Sequence, residues 1–274
     1  MATRSITKDG AQRYEVAVLA HALDLLFAIG EAPEVRLSTT EVSKRLGISR
    51  STAYRLLLTL ESRGVVEHHA ATRGWTLGWR LFALAQRSRA EKLREAAAEA
   101  MPRILEQERE TVNLAAYSAG ELVYIATLDS PHPFRMTELP GEIAPLHATA
   151  LGKAVLAALA DEARAALLEE LELRPMTENT VGSRRELEKQ LELIRSRGWS
   201  MESGEAAIGV TCVGAAILDG SGSPIAAMSV SVPDVRLTPQ RAERIGELVA
   251  DAARLISSKL GVPPRVGEGA TATR

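Results

Sequence analysis

The stretch LSTTEVSKRLGISRSTAYRLLLTLESRG, from Leu37 to Gly64, narrows the choice of fold more than any other part of this chain. Ser38, with Glu41 three residues on, reads as a capping box that opens a helix. Gly47 suits the left-handed residue that closes it, and Ser49 caps a second helix after a turn of about four residues. Two helices joined so tightly cross steeply, as in a helix-turn-helix. In the second helix Ala53, Leu56, Leu57 and Leu60 follow the spacing of a buried face. Arg50, Ser51, Tyr54 and Arg55 fall on the other side, as donors suited to phosphates and base edges. Thr52, with Ser38 and Thr40 at the start of the first helix, completes that candidate DNA-facing set on the two helices.

The next residues extend the pattern. After Gly64, Val65 to His69 is strand-like, Ala70 to Gly74 holds a turn, and Trp75-Thr76-Leu77 returns as a paired strand. Such a hairpin is a wing, and His68, His69, Thr72 and Arg73 place polar and basic groups at its tip. Of these, His68 and Arg73 join the candidate DNA contacts. Ahead of the helix-turn-helix, Val16, Leu19, Leu23, Leu26 and Phe27 form one helical stripe expected to pack behind it. Residues 1 to about 12 read as disordered.

With 274 residues, 46% of them hydrophobic and 25% charged, the chain has material for two ordinary globular domains. No apolar run approaches the roughly 18 residues of a membrane span, and no signal peptide is evident, so a cytoplasmic protein is expected. The single cysteine, Cys212, excludes an intrachain disulfide and a multi-cysteine zinc site. Residues 1 to 80 carry 11 Lys+Arg against 8 Asp+Glu, and the remainder 22 against 27. So small a basic surplus implies that DNA affinity comes from local placement of Arg50, Arg55 and Arg73 and from more than one copy of the chain.

Past the wing, an Ala-, Glu- and Arg-rich segment over residues 81–110 reads as a linker helix interrupted at Pro102. The remainder mixes hairpins and helices, which predicts an α+β domain around an antiparallel sheet. Val112 to Ser118 and Leu122 to Leu128 read as strands about an Ala119-Gly120 turn, and Gly209 to Leu218 and Pro224 to Val232 as strands about Gly220 to Ser223. Helices are expected at Ala150 to Leu159, Asp161 to Leu171 and Arg184 to Arg197, and a last one from Thr238-Pro239 to Leu260. The predicted organisation is 13–80 winged helix-turn-helix, 81–110 linker, 111–262 α+β domain and 263–274 disordered tail.

Three elements of the second domain suit a ligand. In PLHATALGKAVLAAL, Pro145 to Leu159, a loop with His147 and Thr149 runs into a helix start carrying Gly152 and Lys153, and free amides there favour an anion. In EAAIGVTCVGAAI, Glu205 to Ile217, Cys212 sits in an apolar strand, where a small buried hydrophobe is its simplest role. Ser229 and Ser231 in AMSVSVP share one strand face and offer paired donors to a carboxylate.

Taken in order, STAYRLLLTLESRGVV, WTLGWRLFALA, PLHATALGKAVLAAL, GEAAIGVTCVGAAI and AAMSVSV resemble the IclR-type transcriptional regulators, over about Val16 to Gly261. The resemblance implies an N-terminal winged helix-turn-helix, a linker helix and a GAF-like C-terminal effector domain. It also implies homodimers that pair into tetramers on a pseudo-palindromic double-stranded DNA operator, and control of a catabolic operon by a small carboxylic acid. Its effector pocket corresponds here to Ala150, Leu151, Glu202, Cys212, Ser229 and Ser231, with Met136 and Leu139 on an apolar lid. Ala150-Leu151 stands where relatives can have Gly-Ala, Glu202 where they can have Asp, and His21 where an Arg is usual in the first helix. No cofactor or metal is implied. Two other readings compete. One is an enzyme using Cys212 with His147 as nucleophile or metal site, helped by Glu202 or Glu205, although no triad, zinc or dinucleotide spacing supports it. The other is a DNA-binding protein whose sensor responds to nothing.

Overall fold

The computed structural model describes residues 16–31, 36–85 and 88–261. The expected disordered segments at 1–12 and 263–274 lie outside them. The chain divides into two compact units, with the boundary between Ser88 and Arg89.

In the first unit, α1 (Ala17–Gly30) is followed by β1 (Leu37–Ser38), α2 (Thr39–Leu46), α3 (Arg50–Glu61), β2 (Val66–His69), β3 (Gly74–Leu77) and α4 (Trp79–Ala85). The capping box forms as the sequence predicts: Ser38 Oγ accepts from Glu41 N, and Glu41 Oε2 accepts from Ser38 N at 2.8 Å. Gly47 closes α2 at φ 65°, a left-handed conformation that costs other residues more, and Ser49 caps α3. The wing is a three-stranded sheet in the order β1-β3-β2, Leu37 pairing with Trp75. Leu25, Ile29, Leu37, Val42, Ala53, Leu57, Val66 and Trp75 form the core.

One expectation is overturned here. The buried stripe of α1 is Leu25, Ala28 and Ile29, while Val16, Leu19, Leu23 and Phe27 face outward and Leu26 is only half-buried. The helix is apolar nearly all round, so two stripes with the same spacing compete and periodicity alone cannot choose between them.

The second unit contains α5 (Arg89–Ala97), α6 (Ala100–Glu108), β4 (Thr111–Ser118), β5 (Glu121–Leu128), α7 (Ala150–Ala158), α8 (Asp161–Glu170), α9 (Arg184–Arg197), β6 (Ser200–Ser203), β7 (Val210–Leu218), β8 (Pro224–Pro233) and α10 (Pro239–Lys259). The linker helix expected over 81–110, interrupted at Pro102, is instead α4, α5 and α6. The break between α5 and α6 falls at Ala98–Glu99, not at Pro102. Pro102 is the third residue of α6, where a backbone N–H has no intrahelical partner to lose.

The five strands form one antiparallel sheet in the order β5-β4-β8-β7-β6. Alternation along each strand gives it two faces. Val112, Leu114, Val213, Ala215, Met228 and Val230 point to one face, where they pack with Leu93 of α5, Ile104 of α6 and Ile245 and Val249 of α10. Ala115, Tyr124 and Ala227 point to the other, under Leu151 and Val155 of α7 and Leu187 and Leu191 of α9. At the chain entry into β4, buried Glu108 and Glu110 are neutralised from around the start of α10. Arg236 grips Glu110 in a two-pronged contact at 2.7 and 2.6 Å, and Arg244 reaches Glu108 at 3.0 Å.

Candidate DNA interface and effector site

In the first unit, Ser38, Thr39, Thr40, Arg50, His68, Ala70 and Arg73 line one open cleft between the start of α2, the start of α3 and the wing. Five of the sequence-predicted residues therefore converge. Ser51, Thr52, Tyr54 and Arg55 are exposed on α3, and half of the Tyr54 surface meets solvent. Ser49 Oγ lies 2.9 Å from Ser51 Oγ and 2.8 Å from Thr52 Oγ1, so the N-terminus of α3 carries a cluster of three hydroxyls beside Arg50. Ser38 lines the cleft, but its hydroxyl donates to Glu41 at 2.6 Å and is committed to the cap. His69 is held by Thr76 Oγ1 at 2.9 Å, whereas His68 lies against the Trp75 ring with centroids 4.5 Å apart and its surface exposed. Thr39, absent from the sequence-based set, accepts from Trp75 Nε1 at 3.1 Å and so fixes the wing to α2. Arg73 is at φ 50°, an uncommon conformation for a non-glycine residue, at the wing tip.

In the second unit, strand register builds the site. Reading across the face of the sheet beneath α7, one row of partners is Thr111, Ser231, Cys212 and Glu202. The next is Thr127, Asn113, Ser229, Gly214 and Ser200. The row after that is small apart from one ring: Tyr124, Ala115, Ala227 and Ala216. The α7 N-terminus sits directly on this surface. Ser200 Oγ donates to Ala150 O at 2.6 Å, and a Cβ added at Gly214 would lie 3.2 Å from Ala150 C. Gly214 thus permits the close approach. Thr149 caps α7 by accepting from Gly152 N at 3.0 Å, while the N–H groups of Ala150 and Leu151 find no acceptor among the described residues.

Side chains in the two polar rows are linked. Asn113 Nδ2 donates to Ser231 Oγ at 3.2 Å, and the Cys212 thiol donates to the same oxygen at 3.3 Å. Glu202 accepts from Glu205 N at 2.9 Å. Burial pushes the Glu202 carboxyl up to about 7, against the lowering effect of the hydrogen bond from Glu205 N and of the Lys153 charge. Desolvation, with Glu202 beside it, pushes the Cys212 thiol well above its usual range. Tyr124 is also raised, first by burial and then by the charges of Glu138, Cys212 and Glu202, which places Tyr124 and Glu138 in the same electrostatic environment. Neither was among the sequence-predicted residues.

Other predicted positions divide. Met136 is anchored beside the first row, because Thr111 Oγ1 donates to its carbonyl at 2.7 Å. Leu139 is 59% exposed, and its backbone N–H donates to Glu142 Oε2 at 2.9 Å. Lys153 does not serve an anion either, since its fully buried ammonium is paired with Glu205 and donates to Gln190 Oε1 at 2.6 Å. His147 is occupied by the Arg174 carbonyl at 2.9 Å. A thiol held protonated and a histidine bonded to a loop carbonyl do not make a nucleophilic pair. No cluster of three metal-ligating side chains occurs among the described residues.

Residues 18–70 match the IclR helix-turn-helix domain, and residues 86–258 match the bacterial transcriptional regulator IclR C-terminal domain. The chain belongs to the IclR family of transcriptional regulators. It is 32% identical over 248 residues to the HTH-type transcriptional regulator KdgR of Dickeya chrysanthemi, covering 90% of this chain and 80% of that one. The crystal structure of Thermotoga maritima IclR superposes with a TM-score of 0.71 at 29% identity, covering 90% of this chain and all of that one, at 100%. An IclR homolog from Microbacterium hydrocarbonoxydans, complexed with 4-hydroxybenzoate, shares the fold at a TM-score of 0.79 and 24% identity, over 89% of this chain and 98% of that one. IclR proteins are DNA-binding regulators with an effector domain, and this chain is one of them rather than an enzyme. Among the described residues no helix is long and apolar enough to cross a membrane.

Proposed function

We propose that the second unit senses a small carboxylic acid and that its occupancy sets the affinity of the first unit for the operator of a catabolic operon. The observation that carries this reading is the pair of polar rows under the start of α7. The unpaired N–H groups of Ala150 and Leu151 and the hydroxyls of Ser229 and Ser231 are donors gathered where a helix dipole favours negative charge. Glu202 and Cys212 border the same spot, and Glu202, poised near neutrality, can meet a carboxylate as a neutral acid. Ligand binding then works by population shift: the acid favours one arrangement of the assembly, and about 1–3 kcal/mol of coupling changes DNA affinity roughly 5- to 150-fold.

The assembly is a homodimer able to pair into a tetramer. Leu19, Leu23 and Phe27 of α1 and Trp79, Phe82 and Leu84 of α4 are exposed apolar side chains of the kind a second copy covers. Two recognition helices related by a two-fold axis require a pseudo-palindromic site. On each, Arg50, Ser51, Thr52, Tyr54 and Arg55 face the DNA, with Thr40, His68 and Arg73 at the cleft.

Isothermal titration against a panel of aliphatic and aromatic carboxylic acids, 4-hydroxybenzoate among them, tests the sensor. Saturable heat with one acid supports it, and no heat from any member sinks it. Arg55→Ala tests the DNA face: operator affinity falls about ten-fold while the effector titration is unchanged, each base or phosphate contact contributing roughly 1–3 kcal/mol. Undiminished affinity would remove Arg55 from the interface.

A further inference from the structure

Two buried polar side-chain atoms on the sheet face that carries Ser229 and Ser231 have no hydrogen-bond partner, Asn113 Oδ1 and Thr127 Oγ1, and no others are found among the described residues. They are cross-strand neighbours. Asn113 of β4 pairs with Thr127 of β5, so their side chains share a face of the sheet, in the same row as Ser229 and Gly214. Asn113 is 1% exposed, and its amide nitrogen is already bonded to Ser231. A partnerless buried oxygen costs free energy, which native structures tolerate mainly where something else satisfies it.

The two atoms are complementary. Asn113 Oδ1 only accepts, while the Thr127 hydroxyl has a proton to give. A ligand hydroxyl satisfies both by donating to the first and accepting from the second. A ketone or aldehyde oxygen serves Thr127 alone and leaves Asn113 Oδ1 orphaned. Along the row, Asn113 and Gly214 are two strands apart, about 10 Å at the backbone, and the α7 N-terminus lies over Gly214.

We propose that the effector is a hydroxycarboxylic acid, with its carboxylate at the start of α7 and a hydroxyl between Asn113 and Thr127, and that these two residues discriminate hydroxy acids from oxo acids. This inference rests on the carboxylate pocket described above. Polar pockets reject analogues that leave their buried groups unpaired far more strongly than they reject a change in apolar bulk.

The test is calorimetric titration of the full chain with matched pairs, lactate against pyruvate and 2-hydroxybutyrate against 2-oxobutyrate. The hydroxy member of each pair is expected to bind at least ten-fold more tightly. Thr127→Val, nearly isosteric, is expected to cut that preference to less than three-fold while leaving the melting temperature within a few degrees, and Asn113→Ala to abolish it. Equal affinity within each pair, or a preference unchanged in Thr127→Val, overturns the hydroxyl assignment and leaves the carboxylate pocket standing. Failure of both members of both pairs to bind overturns the assignment. If the wider acid panel is then also silent, the pocket itself falls.

Discussion

The two faces of the five-stranded sheet are built from the same strands yet obey different rules. On the face beneath α5, α6 and α10 the buried positions are apolar apart from Thr211 at one end of β7, whose hydroxyl donates to Asp234, and Leu114, Val213, Ile217, Met228, Val230, Ile245 and Val249 make one continuous core. On the face beneath α7 and α9 the apolar packing stops after Ala115 and Ala227, and the next two rows turn polar while remaining buried. Burying polar groups without offsetting contacts is unfavourable, so a sheet whose only task was stability would continue the first pattern across both faces. The difference separates the face that holds the unit together from the face we propose holds a ligand.

The comparison breaks most dramatically on the apolar side. Val249→Asp places an unpaired carboxylate among fully buried aliphatic side chains and is expected to cost more than about 4 kcal/mol, enough to abolish a cooperative thermal transition. Retention of a melting temperature near that of the unaltered protein would mean that this face is not the core.

The polar face should respond in function instead. Ser229→Ala with Ser231→Ala is expected to remove the effector response while the chain stays folded. Loss of Ser231 leaves Asn113 Nδ2 and the Cys212 thiol without their acceptor, a destabilisation of about 1–3 kcal/mol that differential scanning calorimetry would register as a lowered transition, not a lost one.

A gentler probe is pH. Burial holds Glu202 neutral below about 7, and it faces Glu205 and Cys212 on its own side, Lys153 from α7, and Tyr124 with Glu138 from the far edge. An anionic effector is tolerated by the neutral acid and repelled by the carboxylate. Effector affinity is therefore expected to be full below about pH 7 and to fall as pH rises through it, roughly ten-fold per unit well above that point. Glu202→Gln should flatten the profile between pH 6 and 8. A wild-type affinity that rises with pH would contradict this account.

Much of this was legible in the sequence. Thr238-Pro239 and the following apolar stripe mark α10, and the Ser38 to Glu41 box and Gly47 mark α2, because caps and periodicity are local signals. The α1 stripe was misplaced because that helix offers two apolar stripes at the same spacing. Lys153 looked free for an anion because its partner Glu205 lies 52 residues away. Asn113 and Thr127 escaped for the same reason, since Asn113 finds Ser231 across 118 residues and only register puts them in one row. A weak trace existed. Asn is a poor strand former, and one lodged between Val112 and Leu114 asks for a reason beyond packing.

The most direct test of the central claim is fluorescence anisotropy on DNA from upstream of the chain's own gene, comparing the unaltered protein with the Ser229→Ala, Ser231→Ala variant. Salt must be fixed, because phosphate contacts make affinity depend on it. The account predicts equal DNA affinity for both proteins without ligand, and an acid-induced change of five-fold or more for the unaltered protein alone. An acid response of the same size in the variant would contradict it.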